Sequence, residues 1–299
     1  MFDWKEWHSR HLERIEQALK TATPSGLVGV ERLESAMSYA VLAGGKRIRP
    51  LIIYATFELA HADIKQKMLP VTIDQVGTAL ELIHTYSLVH DDLPAMDNDD
   101  FRRGKPTTHK VYDEATALLV GDALQAFSFQ ILSALDADPQ VRIDLIKELS
   151  FSAGVHGMCG GQAIDLSNVG RILNLEQLIQ MHQLKTGALL RAAIRMGAIL
   201  AKLNADDKNS LDQFARDVGL GFQVTDDILD ATQNSETLGK TAGKDAQNNK
   251  PTFVSFMGLI EAKSYAEDLL NSALKHLSHF GEEAEPLRKI AYWAFQRKS

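Results

Sequence analysis

The chain has 299 residues, 45% of them hydrophobic and 24% charged, and its formal net charge at pH 7 is −7. This composition is typical of a folded protein with an ample apolar core, and the negative charge argues against general nucleic-acid binding, which needs a basic surface. The single cysteine, Cys159, excludes an internal disulfide, and we find no apolar signal segment and no run of roughly 18 apolar residues, so we expect a cytoplasmic protein with no membrane span.

A hydrophobic period close to 3.6 residues runs through most of the chain, and strand-like alternation is scarce. This pattern predicts an all-α, single-domain helical bundle that includes residues 1–299. The predicted helices, in chain order, are 4–21, 29–43, 48–62, 71–93, 115–135, 140–157, 175–202, 209–232, 252–279 and 283–297. Helix 115–135 is apolar almost all round, which predicts burial at the centre of the bundle or at a subunit interface. The polar stretch 233–251 is long enough to suggest a functional loop such as a lid.

The first charged motif, residues 44–50, joins two predicted helices and reads Gly-Gly-Lys-Arg-Ile-Arg-Pro. The two glycines let the backbone approach an anion closely, at Gly45 in particular, while Lys46, Arg47 and Arg49 supply positive charge. A nucleotide-binding P-loop is excluded, because its first glycine and its final Ser or Thr are missing. The motif therefore predicts an anion site of another kind.

The first acidic cluster follows the predicted helix 71–93 and contains Asp91, Asp92 and Asp97. On a continuous helix Asp91 and Asp97 would lie about 240° apart, so their convergence requires the break that Pro94 favours. His84 precedes Asp91 by about two helical turns and shares its face. This histidine is therefore either a phosphate ligand or a structural residue.

The second acidic cluster, Asp226, Asp227 and Asp230, lies near the end of helix 209–232. Asp226 and Asp230 share one helix face within about 40°, and Asp227 can reach its edge. Either cluster alone is compatible with a solvated helix end, whereas two of them after apolar helices favour a shared ligand. Adjacent carboxylates repel one another, and Mg²⁺ together with phosphate oxygens removes that penalty. The two clusters therefore predict Mg²⁺ held between two acidic walls.

Five further polar side chains are candidates for the same site. Arg102 and Arg103 follow the first acidic cluster and have the planar donors that suit phosphate. Lys185 lies in a mostly apolar helix, where a lysine needs an anion, and Thr186 follows it. Gln223 lies one helical turn before the second acidic cluster. Between these charged motifs the helices are apolar, which predicts a substrate with an apolar tail and a diphosphate head, and a second diphosphate bound by Lys and Arg.

Taken together, these motifs resemble the trans-prenyl diphosphate synthase family. The resemblance is carried, in chain order, by GGKRIRP, DDLPAMD, DFRRGKPTTH, CGGQAID, HQLKTGALLRA, FQVTDDILD and LGKTAGKD, within residues 36–256. It is closest to the bacterial members that produce farnesyl diphosphate. The resemblance implies an all-α fold around a deep central active-site cavity, a homodimer, and head-to-tail condensation of isopentenyl diphosphate with dimethylallyl and then geranyl diphosphate.

The same resemblance implies a role for each matching residue. Three Mg²⁺ ions per active site are expected on Asp91, Asp92, Asp97, Asp226, Asp227 and Asp230. The residues expected to contact the allylic diphosphate are Arg102, Lys185, Lys240 and Lys250, although Asn249 and Pro251 depart from the common loop sequence around Lys250. The residues expected to hold isopentenyl diphosphate are Gly45, Lys46, Arg49, His84 and Arg103. Thr186 and Gln223 are expected beside the developing cation, so the catalytic residues are Asp91, Lys185, Thr186, Gln223 and Asp226.

Tyr86 stands roughly 7.5 Å along the helix from Asp91, where a large ring can close the bottom of a cavity. In the resembling family an aromatic residue at this place is typical of farnesyl production, so we interpret Tyr86 as the floor that stops chain growth. The alternative is an ordinary half-buried core tyrosine.

Three rival functions remain open at this point. The first is the same chemistry with a geranyl or geranylgeranyl product. The second is a terpene cyclase, which takes no second diphosphate, so the second cationic motif argues against it. The third is a non-catalytic partner subunit of a prenyl synthase, which the intact carboxylates of both acidic clusters disfavour.

Overall fold

The structure is a computed structural model that describes residues 2–61, 69–168, 173–232 and 252–296. In these residues, helices joined by turns are accompanied by one two-stranded hairpin, β1 (Phe101–Arg102) and β2 (Lys105–Pro106). The all-α prediction is therefore confirmed. The prediction that residues 1–299 form one domain stays a prediction.

The helices of the described residues are bounded as follows. In chain order they are α1 (Trp4–Ala22), α2 (Glu31–Val41), α3 (Ile48–Glu58), α4 (Val71–Asp91), α5 (Thr108–Val111), α6 (Glu114–Ser133), α7 (Pro139–Ala153), α8 (Met158–Ser167), α9 (Leu175–His182), α10 (Ala188–Leu200), α11 (Ala205–Thr232), α12 (Phe253–His276) and α13 (Glu285–Gln296). A π-helical turn, Gln183–Gly187, joins α9 to α10, and a 3₁₀ turn, Glu282–Ala284, precedes α13.

Local sequence explains several of the helix starts. Asp3 accepts hydrogen bonds from the first backbone N–H groups of α1, and Asp113 does so for α6. Asp138 caps α7, whose first residue, Pro139, has no N–H to satisfy. Asn174 and Gln177 form a capping box at the start of α9.

The short helix α5 and the β1–β2 hairpin were not predicted, and two longer elements also differ from the sequence-based prediction. Helix α8 was not predicted, because Gly154 and Gly157 end α7 and open a new helix within a glycine-rich stretch. The predicted helix 175–202 is interrupted by the π-helical turn, which a periodicity argument does not detect since the helix axis continues.

Helix α4 lies at the centre of the fold and packs against α3 and α6, while α10 packs against α3, α4 and α7. Twelve residues of α4 are buried, so packing fixes the position of its carboxyl-terminal end. Helix α11 packs against α10, α12 and the π-helical turn. The two helices that carry the acidic clusters are thus both anchored in the core.

Helix α6 is exposed on one side. It packs against α4, but Leu118 and Leu119 near its start are 48% and 53% exposed. Burial at the centre of the bundle was therefore a wrong alternative, whereas the subunit-interface alternative stays a prediction. Within the described ranges, α6 is also the one helix whose length and hydropathy would allow it to cross a membrane, a property that core helices of globular proteins share.

Candidate active site

The first acidic cluster is folded back on the end of α4. The backbone N–H of Asp97 donates to the carbonyl of Asp91 at 2.9 Å, and that of Asp99 donates to the carbonyl of Asp92 at 3.2 Å. Asn98 between them adopts a left-handed conformation with φ +50°, which asparagine tolerates better than most residues. The loop after α4 therefore returns Asp97 to the side of Asp91.

Asp91 lies in an environment that opposes its negative charge. Burial, together with the neighbouring carboxylates of Asp97 and Asp92, raises its pKa to about 6, although Lys185 and Arg102 act in the other direction. Its carboxylate also accepts a hydrogen bond from the side-chain amide of Gln162. A carboxylate with a raised pKa beside other carboxylates is where a divalent cation would relieve the repulsion.

Asp92, at the end of α4, is paired with Arg102 of β1. The Arg102 guanidinium donates from Nε to Oδ1 of Asp92 at 2.7 Å, and its Nη2 also lies 2.7 Å from Oδ1. Burial raises the pKa of Asp92, and the hydrogen bond to Arg102 counteracts that rise. The structure thus brings together a predicted metal ligand and a predicted phosphate ligand.

The π-helical turn carries Lys185 into the site. The Nζ of Lys185 lies 2.6 Å from Oδ2 of Asp165 on α8. Burial alone would lower the pKa of Lys185. The negative charges of Asp91 and Asp165 have the larger combined effect, and the pKa of Lys185 is raised above its usual value. Gly161 makes this approach possible, because a Cβ at that position would overlap the backbone of Lys185. The role of Asp165 as the partner of Lys185 was missed by sequence reasoning, since the two residues lie on different helices.

Thr186 and Gln223 are neighbours, as their shared predicted role requires. The Thr186 hydroxyl donates to Oε1 of Gln223 at 3.2 Å. Their helices meet closely at Gly219, where an added Cβ would lie 3.1 Å from the Cα of Gly187. A π-helical turn at such a contact is a common feature of functional sites, because it re-aims side chains without ending the helix.

The second acidic cluster divides between two environments. Asp226 and Asp230 are half-buried, whereas Asp227 is 8% exposed. Oδ2 of Asp227 accepts the backbone N–H of Phe253 at 2.6 Å, which caps the first turn of α12. Sequence reasoning did not find this cap, because the two residues are separated by the stretch 233–251, whose placement lies outside the described residues.

No three acidic, histidine or cysteine side chains among the described residues lie close enough to hold a metal ion by themselves. The donor set nevertheless suits Mg²⁺, which prefers a few carboxylates supplemented by phosphate oxygens and water. Burial is the main cause of the raised pKa of Asp91, repulsion by Asp97 and Asp92 adds to it, and a bound cation would oppose both effects.

A cationic cavity of about 390 Å³ lies beside this acidic end of α4. Its basic lining residues are Lys46, Arg47, Arg49, His84 and Arg103, and Gly45 also lines it. Lys46 is positioned over the ring of Trp293, with Nζ 5.1 Å from the ring centre. The predicted isopentenyl diphosphate ligands are thus brought together in one cavity.

Burial shifts the pKa of two basic groups in the cationic cavity. Nε of Arg49 is buried without a hydrogen-bond partner, and burial lowers the pKa of Arg49 to about 10 although Glu81 counteracts this effect. Burial and the positive charge of Arg49 lower the pKa of His84 well below its usual value. His84 is therefore a neutral imidazole near pH 7, and an anionic ligand would complement Arg49.

Gly45 and Arg103 fit together at the mouth of the cationic cavity. Gly45 has φ +141°, and a Cβ there would lie 2.7 Å from Cζ of Arg103. The guanidinium of Arg103 donates to the carbonyl of Gly44. Glycine at position 45 is therefore required by space as well as by backbone conformation.

A buried ion-pair network lies behind the cationic cavity and was missed by sequence reasoning. Arg47 is 2% exposed, and its guanidinium contacts Glu81 at 2.9 Å and Glu16 at 2.7 Å. It also donates to the carbonyl of Val41 at 2.8 Å. Arg47, which the sequence predicted to supply charge to an anion, is thus committed to structural partners.

A second cavity, of about 420 Å³ and mostly apolar, extends along α4 below Asp91. Tyr86 lines it, as do Asp91, Lys185 and Thr186. Its lining shares Arg49, His84 and Thr186 with the cationic cavity. We call it the tail cavity, because it joins a charged end to an apolar interior.

A cavity of about 590 Å³ lies elsewhere, among α1, α4 and α6. It is less suited to a charged ligand, because its one basic lining residue, Arg14, is paired with Asp74 at 2.5 Å and 2.8 Å. Lys240 and Lys250, which were predicted to bind phosphate, lie outside the described residues.

Comparison with known proteins agrees with this arrangement. Residues 30–290 match the Polyprenyl synthetase family. A probable farnesyl diphosphate synthase from Sinorhizobium fredii is 46% identical over 288 residues, which cover 95% of this chain and 85% of that protein. The farnesyl diphosphate synthase of Escherichia coli is 45% identical over 274 residues, which cover 87% of this chain and 88% of that protein.

A solved structure also shares the fold. A geranyltransferase from Helicobacter pylori, complexed with magnesium and isoprenyl diphosphate, matches with a TM-score of 0.88 and 35% sequence identity over 99% of each chain. The resemblance drawn from the sequence motifs is confirmed, and this chain belongs to the polyprenyl synthetase family.

Proposed function

We propose that this protein is a prenyltransferase that condenses isopentenyl diphosphate with dimethylallyl and then geranyl diphosphate, giving (2E,6E)-farnesyl diphosphate and diphosphate. The observation that carries the proposal is that two sites suited to diphosphate meet at the charged end of one apolar cavity. One is a group of carboxylates that would bind diphosphate through Mg²⁺, and the other is a group of cationic side chains. The 45% identical relative is named farnesyl diphosphate synthase and the 46% identical one probable farnesyl diphosphate synthase, in agreement with the proposal.

In this proposal the cationic cavity binds isopentenyl diphosphate. Lys46, Arg49 and Arg103 contact its diphosphate, and the neutral imidazole of His84 contributes a hydrogen bond. Because Arg49 is buried with an unsatisfied Nε, a bound diphosphate oxygen would remove an unfavourable interaction already present in the protein.

The acidic end of the tail cavity binds the allylic diphosphate. Mg²⁺ is supported by the carboxylate donor set and by the magnesium complex of the Helicobacter pylori relative. We propose three ions, held by Asp91, Asp92, Asp97, Asp226, Asp227 and Asp230. When bound, Mg²⁺ stabilises negative charge on the departing diphosphate. Arg102 and Lys185 are expected to contact the same group.

The protein's own residues protect and orient the reacting carbons. The C–O bond of the allylic diphosphate breaks, a new C–C bond forms to isopentenyl diphosphate, and the released diphosphate takes the proton that is lost. Thr186 and Gln223, whose side chains are hydrogen-bonded to each other, are expected to lie beside the developing cation, where their polar oxygens would stabilise positive charge. The apolar walls of the tail cavity exclude water from it.

The test of the carboxylate assignment is a double substitution, Asp91→Asn with Asp226→Asn. We expect incorporation of labelled isopentenyl diphosphate, measured with dimethylallyl diphosphate and Mg²⁺, to fall by at least about 100-fold. Asp206→Asn, an exposed change in the first turn of α11, is the control and should retain activity. Full turnover by a folded double variant would contradict the proposal.

The same assay separates the rival functions. A terpene cyclase would leave labelled isopentenyl diphosphate untouched, and a non-catalytic subunit would consume neither substrate. A geranyl or geranylgeranyl product would be identified by chromatography of the dephosphorylated alcohols. Tyr86→Ala is expected to shift the product beyond C15, because the ring is 6% exposed and borders the tail cavity. An unchanged C15 product would refute Tyr86 as the floor.

We further propose that the protein is a cytoplasmic homodimer and that residues 1–299 act as one domain. A second copy is the proposed occupant of the exposed face of α6, because Ile143 and Phe151 on the neighbouring α7 are also 56% and 53% exposed. Contiguous exposed apolar surface marks interaction sites, which is the basis of this proposal.

A further inference from the structure

The ring of Tyr86 is held from two sides at the end of the tail cavity. The imidazole of His90 meets it edge-on, with the ring centres 5.8 Å apart. The Sγ of Cys159 on α8 lies 3.6 Å from the Tyr86 hydroxyl. The position of this ring therefore depends on three helices rather than on α4 alone.

His90 forms the fixed side of this arrangement. Its Nε2 is hydrogen-bonded to the carbonyl of Leu118 at 2.9 Å. Gly121 leaves room for the ring, because a Cβ there would overlap the imidazole. Through His90, one edge of Tyr86 is locked to α6.

Cys159 forms the adjustable side. It is the second residue of α8 and lines the tail cavity together with Met158, Leu118 and Leu189. Its side chain is exposed, unlike a cysteine packed in the core. It is also the one cysteine in the chain, so a reagent specific for thiols addresses this position alone.

We infer that Cys159 is a specificity-determining residue that sets, together with Tyr86, the length at which the prenyl chain stops growing. This inference rests on the proposed prenyltransferase function. A larger group on Cys159 occupies space that a C15 chain needs, and favours a C10 product. A smaller group removes the Cys159 contact, leaves the Tyr86 hydroxyl with its hydrogen bond to Gln125, opens space beside the ring and favours products longer than C15.

The first test changes the volume at Cys159 reversibly. The thiolate attacks the sulfenyl sulfur of methyl methanethiosulfonate, which forms a Cys–S–S–CH₃ group and releases methanesulfinate. We expect the C15-to-C10 product ratio to fall at least fivefold, and dithiothreitol to restore it by reducing the mixed disulfide. Mass spectrometry of the intact protein verifies that modification is complete.

The control moves the thiol along the same helix. Ala163 is exposed on α8 and does not line the tail cavity. In the double variant Cys159→Ala with Ala163→Cys, the reagent should modify the protein fully and leave its product ratio constant. A ratio that falls equally in this variant would overturn the inference.

The second test is a cycle of substitutions. Tyr86→Phe keeps the ring and removes the hydroxyl, while Cys159→Ala removes the thiol. If their contact determines chain length, each variant shifts the product towards longer chains, and the double variant shifts it no further than either one. Additive shifts, or none, would count against the inference.

The two proposals fail in different ways. If the unmodified enzyme incorporates no isopentenyl diphosphate, the proposed function fails. If incorporation is normal and complete modification of Cys159 leaves the C15-to-C10 ratio constant, the inference about Cys159 alone is overturned. A uniform loss of turnover without a change in that ratio has the same consequence.

Discussion

At the scale of single residues, Arg47 supports the cationic cavity without being free to bind in it. Its left-handed backbone, with φ +48°, begins α3, and its guanidinium is 0% exposed beside Glu81, which is 2% exposed. Breaking a buried pair leaves an uncompensated charge, which is more costly than never having buried the pair. Arg47 is therefore better described as a positioning residue than as a ligand.

Arg47→Met should lower the free energy of unfolding by about 3–5 kcal/mol, because it leaves the Glu81 carboxylate buried without its cation. Urea denaturation measures the change. Arg32→Met is the matched control: its pair with Asp113 is 60% and 48% exposed, so the loss should stay below about 1 kcal/mol. Equal losses in the two variants would contradict this account.

His182 should make the fold sensitive to acid. Burial lowers its pKa from 6.5 to about 4, so below pH 6.5 the unfolded chain binds a proton that the folded protein does not, and the free energy of unfolding falls with pH. For this group the fall between pH 7 and pH 5 is about 2 kcal/mol. Urea denaturation at both pH values measures it.

The comparison for His182 is His182→Gln, which cannot titrate. The other histidines contribute equally to the original protein and to the variant. The difference between the two proteins in how the free energy of unfolding depends on pH therefore isolates position 182. The variant should lose less stability on acidification than the original protein. Identical losses would show that His182 is not held neutral.

At the scale of elements, the contact between α8 and the π-helical turn determines where Lys185 lies. Gly161 packs against that turn so closely that no side chain fits. Within the π-helical turn, Lys185 contacts Asp165 and Thr186 contacts Gln223. One glycine on a neighbouring helix thus positions two predicted catalytic residues.

Gly161→Ala should therefore reduce both stability and activity. Overpacking of this kind costs about 1–3 kcal/mol, and displacement of Lys185 should lower kcat at least tenfold. Ala163→Ser, on the exposed side of the same helix, should change neither quantity appreciably. Calorimetry and steady-state kinetics test the pair, and normal kcat in Gly161→Ala would refute the proposed coupling.

At the scale of the whole molecule, α6 has one face that the single chain leaves uncovered. Leu119→Glu should convert a dimer into a monomer, because a charge would be buried in an apolar interface. Sedimentation equilibrium measures the mass. Ile260→Glu is the control, since Ile260 is 85% exposed on α12 and its substitution should leave the mass unchanged. A monomeric original protein would remove the basis for this prediction.

The all-α class and most helices followed from hydrophobic periodicity, and the family from the resemblance of the sequence motifs, because both depend on residues close together in the chain. The convergence of Asp97 on Asp91 was also foreseen, since Pro94 and the six-residue spacing require a reversal there.

Contacts between distant segments could be decided by the tertiary structure alone. The pairing of Arg102 with Asp92, the cap that Asp227 provides to α12, and the contact of Cys159 with Tyr86 depend on how helices meet. The π-helical turn belongs to the same class, because its conformation is set by packing against α8 and α11. Sequence spacing specifies which side chains share a helix face, but packing between helices determines which faces meet.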